Sequence, residues 1–137
     1  MTKIKETIIL TTMTMVYNDK GEMLVVNRTK NDWPGLNFPG GHVELGEDIT
    51  ASAIREVKEE TGLSVSNLKC MGYYSWTSYG INRRDLVILF RTNTYKGTLT
   101  SSNEGEVFFV PINNYKNFKL SADFDDIVSI MTVGLNE

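Results

Sequence analysis

The chain has 137 residues, 41% hydrophobic and 23% charged, which suits a single globular domain (1–137) with its own core. Seventeen acids against fourteen Lys and Arg leave a net charge of −3, so no global basic field attracts nucleic acid, and no run is apolar for long enough to span a membrane. The single cysteine, Cys70, allows no internal disulfide and suits a reducing cytoplasm, while Thr7, Thr11, Thr12 and Thr14 interrupt the apolar stretch that a signal peptide would need.

Ile8 to Tyr17 reads as a strand, because Met13, Met15 and Tyr17 alternate with Thr12, Thr14 and Val16 to give two unlike faces. Asn18-Asp19-Lys20-Gly21 is a turn signal, and Met23 to Asn27 is a second strand, which predicts a hairpin. Met13 and Met15 read as core residues. Lys30 to Gly35 is a loop, and Leu36 to Phe38 is a short extended piece that leads into Pro39-Gly40-Gly41. Glycines there let backbone approach backbone or ligand closely. Trp33 and Phe38 are candidates either to stack on a planar ligand or to pack beneath the loop. Asn37 carries a donor and an acceptor and is a candidate to read the edge of such a ligand. His42, the only histidine, reads as structural or as a surface group.

A helix of roughly a dozen residues follows, with Asp48 as its N-cap and Gly62 as its stop. Ile49, Ala53 and Val57 form its apolar stripe at i, i+4 and i+8. Glu56, Glu59 and Glu60 overlap one edge of that stripe, so three carboxylates gather at the lip of the buried face. They repel one another, and Arg55 offsets only part of the repulsion. A hard divalent cation would offset the rest. Mg²⁺ suits such oxygen donors, with Mn²⁺ as an alternative, and a carbonyl from the Gly40 turn is a candidate fourth ligand.

Asn67 to Tyr79 is rich in aromatic residues (Tyr73, Tyr74, Trp76, Tyr79) and reads as a strand whose rings line a core or a dimer face more readily than a ligand site. Gly80-Ile81-Asn82 turns the chain into Arg84 to Thr94, where Leu86 to Phe90 suits a strand buried on both faces. Arg83 and Arg84 read first as a solvated hairpin end, with contact to phosphates as the alternative. Lys96-Gly97 and Ser101 to Gly105 are loops, and Glu106 to Pro111 is one more strand. Asn113 to Leu120 is irregular. A last helix opens at Ser121 to Asp126 and runs to about Val133, capped by Ser121 or Asp123, with Ile127, Val128, Ile130 and Met131 on its packing face.

The segment from Gly41 to Leu63 reads Gly-x5-Glu47-x7-Arg55-Glu56-Val57-x-Glu59-Glu60-x-Gly62-Leu63. Position for position this resembles the Nudix box of the Nudix hydrolases (box 41–63). An ordinary acidic helix face explains Glu-x-x-Glu-Glu alone but not the full spacing. Strands, one long helix, more strands and a final helix give an α/β or α+β domain. The resemblance sharpens this to a Nudix α/β/α sandwich with a mixed β-sheet between helices.

The resemblance also implies an activity, namely hydrolysis of a nucleoside diphosphate linked to another group. It implies Glu56, Glu59 and Glu60 as metal ligands, with Gly40 beside them, and Glu56 or Glu59 as the general base. Arg55 orients a glutamate, and Glu47 supports the junction of loop and helix. In such enzymes an acid outside the box often joins the metal site, and Glu104 and Glu106 are the candidates here, Glu106 being assigned the catalytic role. The run from Trp33 to Glu44 is similar to MutT-like members that cleave oxidised nucleoside triphosphates such as 8-oxo-dGTP to a monophosphate and pyrophosphate. With a nucleotide as substrate, Trp33, Asn37 and Phe38 would meet the base, and Asp123, near the start of the last helix, would help to bind it. Alternative substrates are a nucleotide sugar, ADP-ribose, a dinucleoside polyphosphate or a capped RNA end. A non-catalytic nucleotide-binding domain is a further alternative. The protein is expected to work in the cytoplasm as a monomer or homodimer, with a nucleotide as its partner and neither membrane nor nucleic acid.

Overall fold

The structure is a computed structural model that describes residues 5–29, 33–78 and 82–135. In chain order its elements are β1 (Thr7–Val16), β2 (Glu22–Arg28), β3 (Gly35–Asn37), β4 (Gly40–His42), α1 (Ile49–Thr61), β5 (Leu63–Ser66), β6 (Lys69–Ser78), β7 (Arg83–Thr92), β8 (Thr94–Gly97), β9 (Gly105–Pro111) and α2 (Phe124–Met131). A mixed sheet runs in the order β4-β1-β7-β6, with β1 and β7 parallel and the other pairs antiparallel. An antiparallel sheet runs β3-β2-β9, and β5 pairs with β8.

Alternation along the strands builds two cores. Met15, Met23, Val25 and Val110 turn to one side and meet Phe124, Ile127, Val128 and Met131 of α2. Val16, Leu24, Val26 and Val107 turn to the other side and meet Val57 of α1 with Leu63 and Val65. Each strand thus presents successive residues to opposite helices, which is the expected sandwich of sheet between helices. Among the described residues no helix is long and apolar enough to cross a membrane.

Several expectations need correction. β1 and β2 do not form a hairpin ladder: they lie in different sheets and share the isolated bridge Tyr17–Met23. The turn at Asn18 to Gly21 does reverse the chain, but both edges of β1 are taken by β4 and β7. The two unlike faces of β1 are both covered in its second half, since Thr12 and Thr14 are buried as well as Met15. β7 ends at Thr92, and the supposed loop at Lys96-Gly97 is the end of β8, paired with Ser64 and Leu63 of an unforeseen β5. α2 starts at Phe124 and ends at Met131. Neither expected cap holds. Asp123 makes no side-chain cap bond, and the Ser121 hydroxyl donates to the Pro34 carbonyl at 2.9 Å. The expected loop at Lys30 to Asp32 and the turn at Gly80-Ile81 lie outside the described residues, as does Tyr79.

Candidate active site

Local chemistry fixes α1. The Asp48 carboxylate accepts from the Ala51 N–H at 3.0 Å, and Gly62 ends the helix in the left-handed region at φ 82°. A Cβ on Gly62 would also lie 2.5 Å from the Thr98 carbonyl oxygen. Ala53 and Val57 are fully buried, and this rotation grades the three acids beside them. Glu60 is 6% exposed, the Glu56 side chain 15% and the Glu59 side chain 59%. Glu56 and Glu60 therefore turn inward, whereas Glu59 faces solvent.

The inward acids meet the Gly40–Gly41 strand. Glu60 accepts from the Gly40 N–H at 2.8 Å. A Cβ on Gly41 would stand 2.5 Å from the Glu56 carboxyl carbon, so glycine leaves that carboxylate its room. Arg55 ties the cluster together. Its Nε and one terminal nitrogen grip both oxygens of Glu47 at 2.7 and 2.9 Å, and its other terminal nitrogen donates to Glu56 at 3.0 Å and Glu59 at 3.2 Å. It also reaches the His42 carbonyl at 3.3 Å, which joins helix to loop. Glu47 accepts the Glu44 N–H as well.

These contacts sort the acids by charge. The Arg55 guanidinium and the Glu44 N–H hold Glu47 down at about 2, well below the carboxylate range. Glu56 is raised by burial, against the pull of Arg55. Glu60 is pushed up to about 8, mainly by burial and further by the charges of Glu56 and Glu104, while the Gly40 N–H pulls the other way.

Among the described residues no three His, Cys, Asp or Glu side chains stand close enough to make a ready-formed metal cluster. Mg²⁺ does not require one, since it takes one or two carboxylates and keeps waters and phosphate oxygens. Glu56 and Glu60 fit that demand. Both are hard oxygen donors held inward, and burial and mutual repulsion leave their anions in want of positive charge. In the β1–β4 register the Gly40 N–H points to Glu60, and the Gly40 carbonyl lies on the same strand edge, so it also fits.

Gly40 and Gly41 also line a recess of about 510 Å³. Trp33 and Trp76 meet edge to face at its wall, with centroids 5.4 Å apart. Met13, Val87, Asn37 and Phe38 also line it, as does Arg28, whose charge is felt by Glu60. Phe38 is 3% exposed and packs on Phe124 at 4.9 Å, so it is chiefly a core ring that supports the recess. Asn37 is buried, and its side-chain oxygen accepts from the Phe38 N–H. The edge it offers a ligand is thus its amide N–H pair.

The structure brings Glu56, Glu60, Gly40, Arg55, Trp33 and Asn37 together. It does not bring Glu106 to them. By strand alternation Glu106 shares the face of Phe108 and Val110, which pack toward α2 and not α1, and it is exposed. Glu104 is the outside acid that reaches the cluster: it pairs with Arg28 at 3.2 Å and its charge is felt by Glu60. Asp123 does not line the recess; its carboxylate accepts from the Trp76 indole at 2.6 Å. Trp76 and Arg83, read from the sequence chiefly as core or solvated groups, line the recess, as do Arg28 and Asp85, which the sequence did not single out. The one available signal was period-2 alternation in β6, which puts Tyr74 and Trp76 on the same face.

The sequence profile of the NUDIX domain matches residues 8–128. An ADP-ribose pyrophosphatase from Methanocaldococcus jannaschii is 31% identical over 109 residues, or 78% of this chain. The chain spans 63% of that relative, less than two thirds of its length. A MutT NUDIX hydrolase from Burkholderia pseudomallei has a similar fold at TM-score 0.79 and 14% identity, covering 90% of this chain and 98% of that one. A MutT protein from Methanosarcina mazei Go1 does so at TM-score 0.77 and 23% identity, covering 93% and 94%.

Proposed function

The chain belongs to the NUDIX family, and on that premise we propose that it is a Mg²⁺-dependent pyrophosphohydrolase of nucleoside triphosphates, with 8-oxo-dGTP as the preferred substrate. One observation carries the proposal. A recess walled by two tryptophans is lined by Gly40 and Gly41, the same strand against which the inward carboxylates of Glu56 and Glu60 lie. A base in the recess therefore leaves its phosphates beside Glu56 and Glu60.

Bound Mg²⁺ supplies neutralising charge for the pyrophosphate and lowers the pKa of an attacking water. Glu56, Glu60 and the Gly40 carbonyl are the groups that hold it, with Glu59 at the solvent side. Arg55 holds Glu56 in place by a charge-assisted hydrogen bond and keeps Glu47 locked on the loop. Glu56 or Glu59 is the carboxylate that takes the proton from water, each held at the edge of the cluster by Arg55. Glu104, and not Glu106, is the acid outside the box that tunes Glu60. Trp33 and Trp76 hold the base, and the Asn37 amide N–H pair donates to a base carbonyl. The work takes place in the cytoplasm, in keeping with the lone thiol.

A second reading has its own support: ADP-ribose as substrate, after the 31% identical relative. A product assay separates the two. Purified protein with Mg²⁺ is given 8-oxo-dGTP, dGTP, ADP-ribose, nucleotide sugars and dinucleoside polyphosphates, and products are resolved by ion exchange. Faster release of monophosphate and pyrophosphate from 8-oxo-dGTP than from any other compound supports the proposal. A faster release of AMP from ADP-ribose overturns the substrate and keeps the chemistry.

A further inference from the structure

Trp76 is held from three sides. Trp33 meets it edge to face, Tyr74 packs beside it at 4.9 Å, and the Asp123 carboxylate accepts its indole N–H at 2.6 Å. Asp123 stands where an N-cap would be, immediately before Phe124, yet it caps nothing. Its backbone sits in the left-handed region at φ 64°, a conformation that costs an L-residue energy and that Asp tolerates better than most. A residue that accepts strain and forgoes its cap bond, and spends its carboxylate on a side chain 47 positions away, is placed for that side chain. Nearby, Tyr74 donates to Asp126 at 3.2 Å, so two residues of β6 are pinned to the first turn of α2.

We infer that Asp123 is a positioning residue that sets the Trp76 indole as a wall of the base recess, rather than a group that touches the base. This rests on the reading of the recess as a base site. An indole fixed in one orientation offers a ready stacking surface and loses little freedom on binding. The charge-assisted bond also fixes the indole N–H away from the ligand, so Trp76 contributes its ring and not a donor.

The test uses Trp33→Phe as background, because the chain has two tryptophans and Trp76 is then the sole emitter. dGMP is titrated against indole fluorescence. Three substitutions at 123 separate the contributions. Asp123→Asn keeps an acceptor oxygen and tolerates the left-handed backbone. Asp123→Gly keeps the backbone and loses the acceptor. Asp123→Ala loses both. dGMP should quench Trp76, and Asp123→Gly and Asp123→Ala should weaken binding by roughly 5- to 10-fold, about the worth of one aromatic contact. Asp123→Asn should stay within about twofold of the background protein. Trp76→Phe, which keeps a ring but has no N–H, should raise the KM for the best nucleotide substrate, and adding Asp123→Gly to it should change little further.

Quenching that is equal with Asp, Gly and Ala at 123 overturns the inference, as does the absence of quenching or multiplicative kinetic effects at 76 and 123. If 8-oxo-dGTP is not turned over but quenching still depends on Asp123, the inference stands and the substrate reading falls. If 8-oxo-dGTP is cleaved and the substitutions at 123 leave binding untouched, the substrate reading stands and the inference falls.

Discussion

Glu60 stands where an anion is least stable: 6% exposed, close to Glu56 and Glu104, with a backbone N–H as its donor. Its pKa near 8 makes a prediction about pH. The folded protein keeps Glu60 protonated up to about pH 8, whereas the unfolded chain releases that proton near the ordinary 4.5. Between those values the native state binds more protons, so stability falls as pH rises through the window. The melting temperature of metal-free protein should decline from about pH 5 to about pH 8, and Glu60→Gln should flatten the slope. An unchanged slope in the variant would contradict the assignment. Glu47 behaves oppositely. Its lowered pKa gives stability above 4.5 that is lost as pH falls toward 2. Arg55 is the other residue whose geometry cannot be imitated. Its fork grips both Glu47 oxygens and still reaches Glu56. Arg55→Lys keeps the charge but not the fork, so kcat should drop by roughly tenfold or more while the far-ultraviolet dichroism stays the same.

At the scale of elements, α1 and the Gly40–Gly41 strand form one device. Gly41→Ala would drive a methyl group into the Glu56 carboxylate, the movable end of a side chain. Activity should fall steeply with little change in melting temperature. Gly62→Ala is the converse. It forces an L-residue to φ 82° and against the Thr98 carbonyl, which should cost about 1–2 kcal/mol of stability, read by denaturant titration. The ends of α1 were legible in the sequence because caps are local: Asp48 and Gly62 act on residues three and four positions away. The carboxylate lip was legible for the same reason, as it follows from 3.6 residues per turn. Strand partners were not. The turn after Tyr17 promised a hairpin, but β1 found its partners at Gly40 to His42 and Arg83 to Thr92. β5 and β8 are four residues each and carry no alternation strong enough to show before they pair. For Phe38 the sequence left stacking on a ligand and packing beneath the loop both open, since only its distant neighbour Phe124 decides for the core. Asp123 looked like a cap or a base contact for the same reason: its partner Trp76 lies on a strand far away in sequence.

In the whole molecule, the strands separate a core under α1 from a core under α2. α1 carries the acids against one core, and α2 packs in the other, where Asp123 at its start holds Trp76 of the recess. α2 is only eight residues long, and its far end depends on β7. Buried Arg91 donates from one terminal nitrogen to the carbonyls of Met131 and Val133. Arg91→Met should leave those carbonyls without that donor and cost about 2 kcal/mol, or roughly 7 °C in melting temperature, by calorimetry. The central claim joins the recess to the carboxylates: a nucleotide held by the tryptophan recess is cleaved at Glu56 and Glu60. The most direct measurement is the initial rate of pyrophosphate release from 8-oxo-dGTP with Mg²⁺, for the native chain, Glu56→Gln and Glu60→Gln, each confirmed as folded by its melting curve. The account predicts metal-dependent release by the native chain, abolished by chelator, and a loss of roughly a hundredfold or more in each variant. Near-native rates in both folded variants would contradict it.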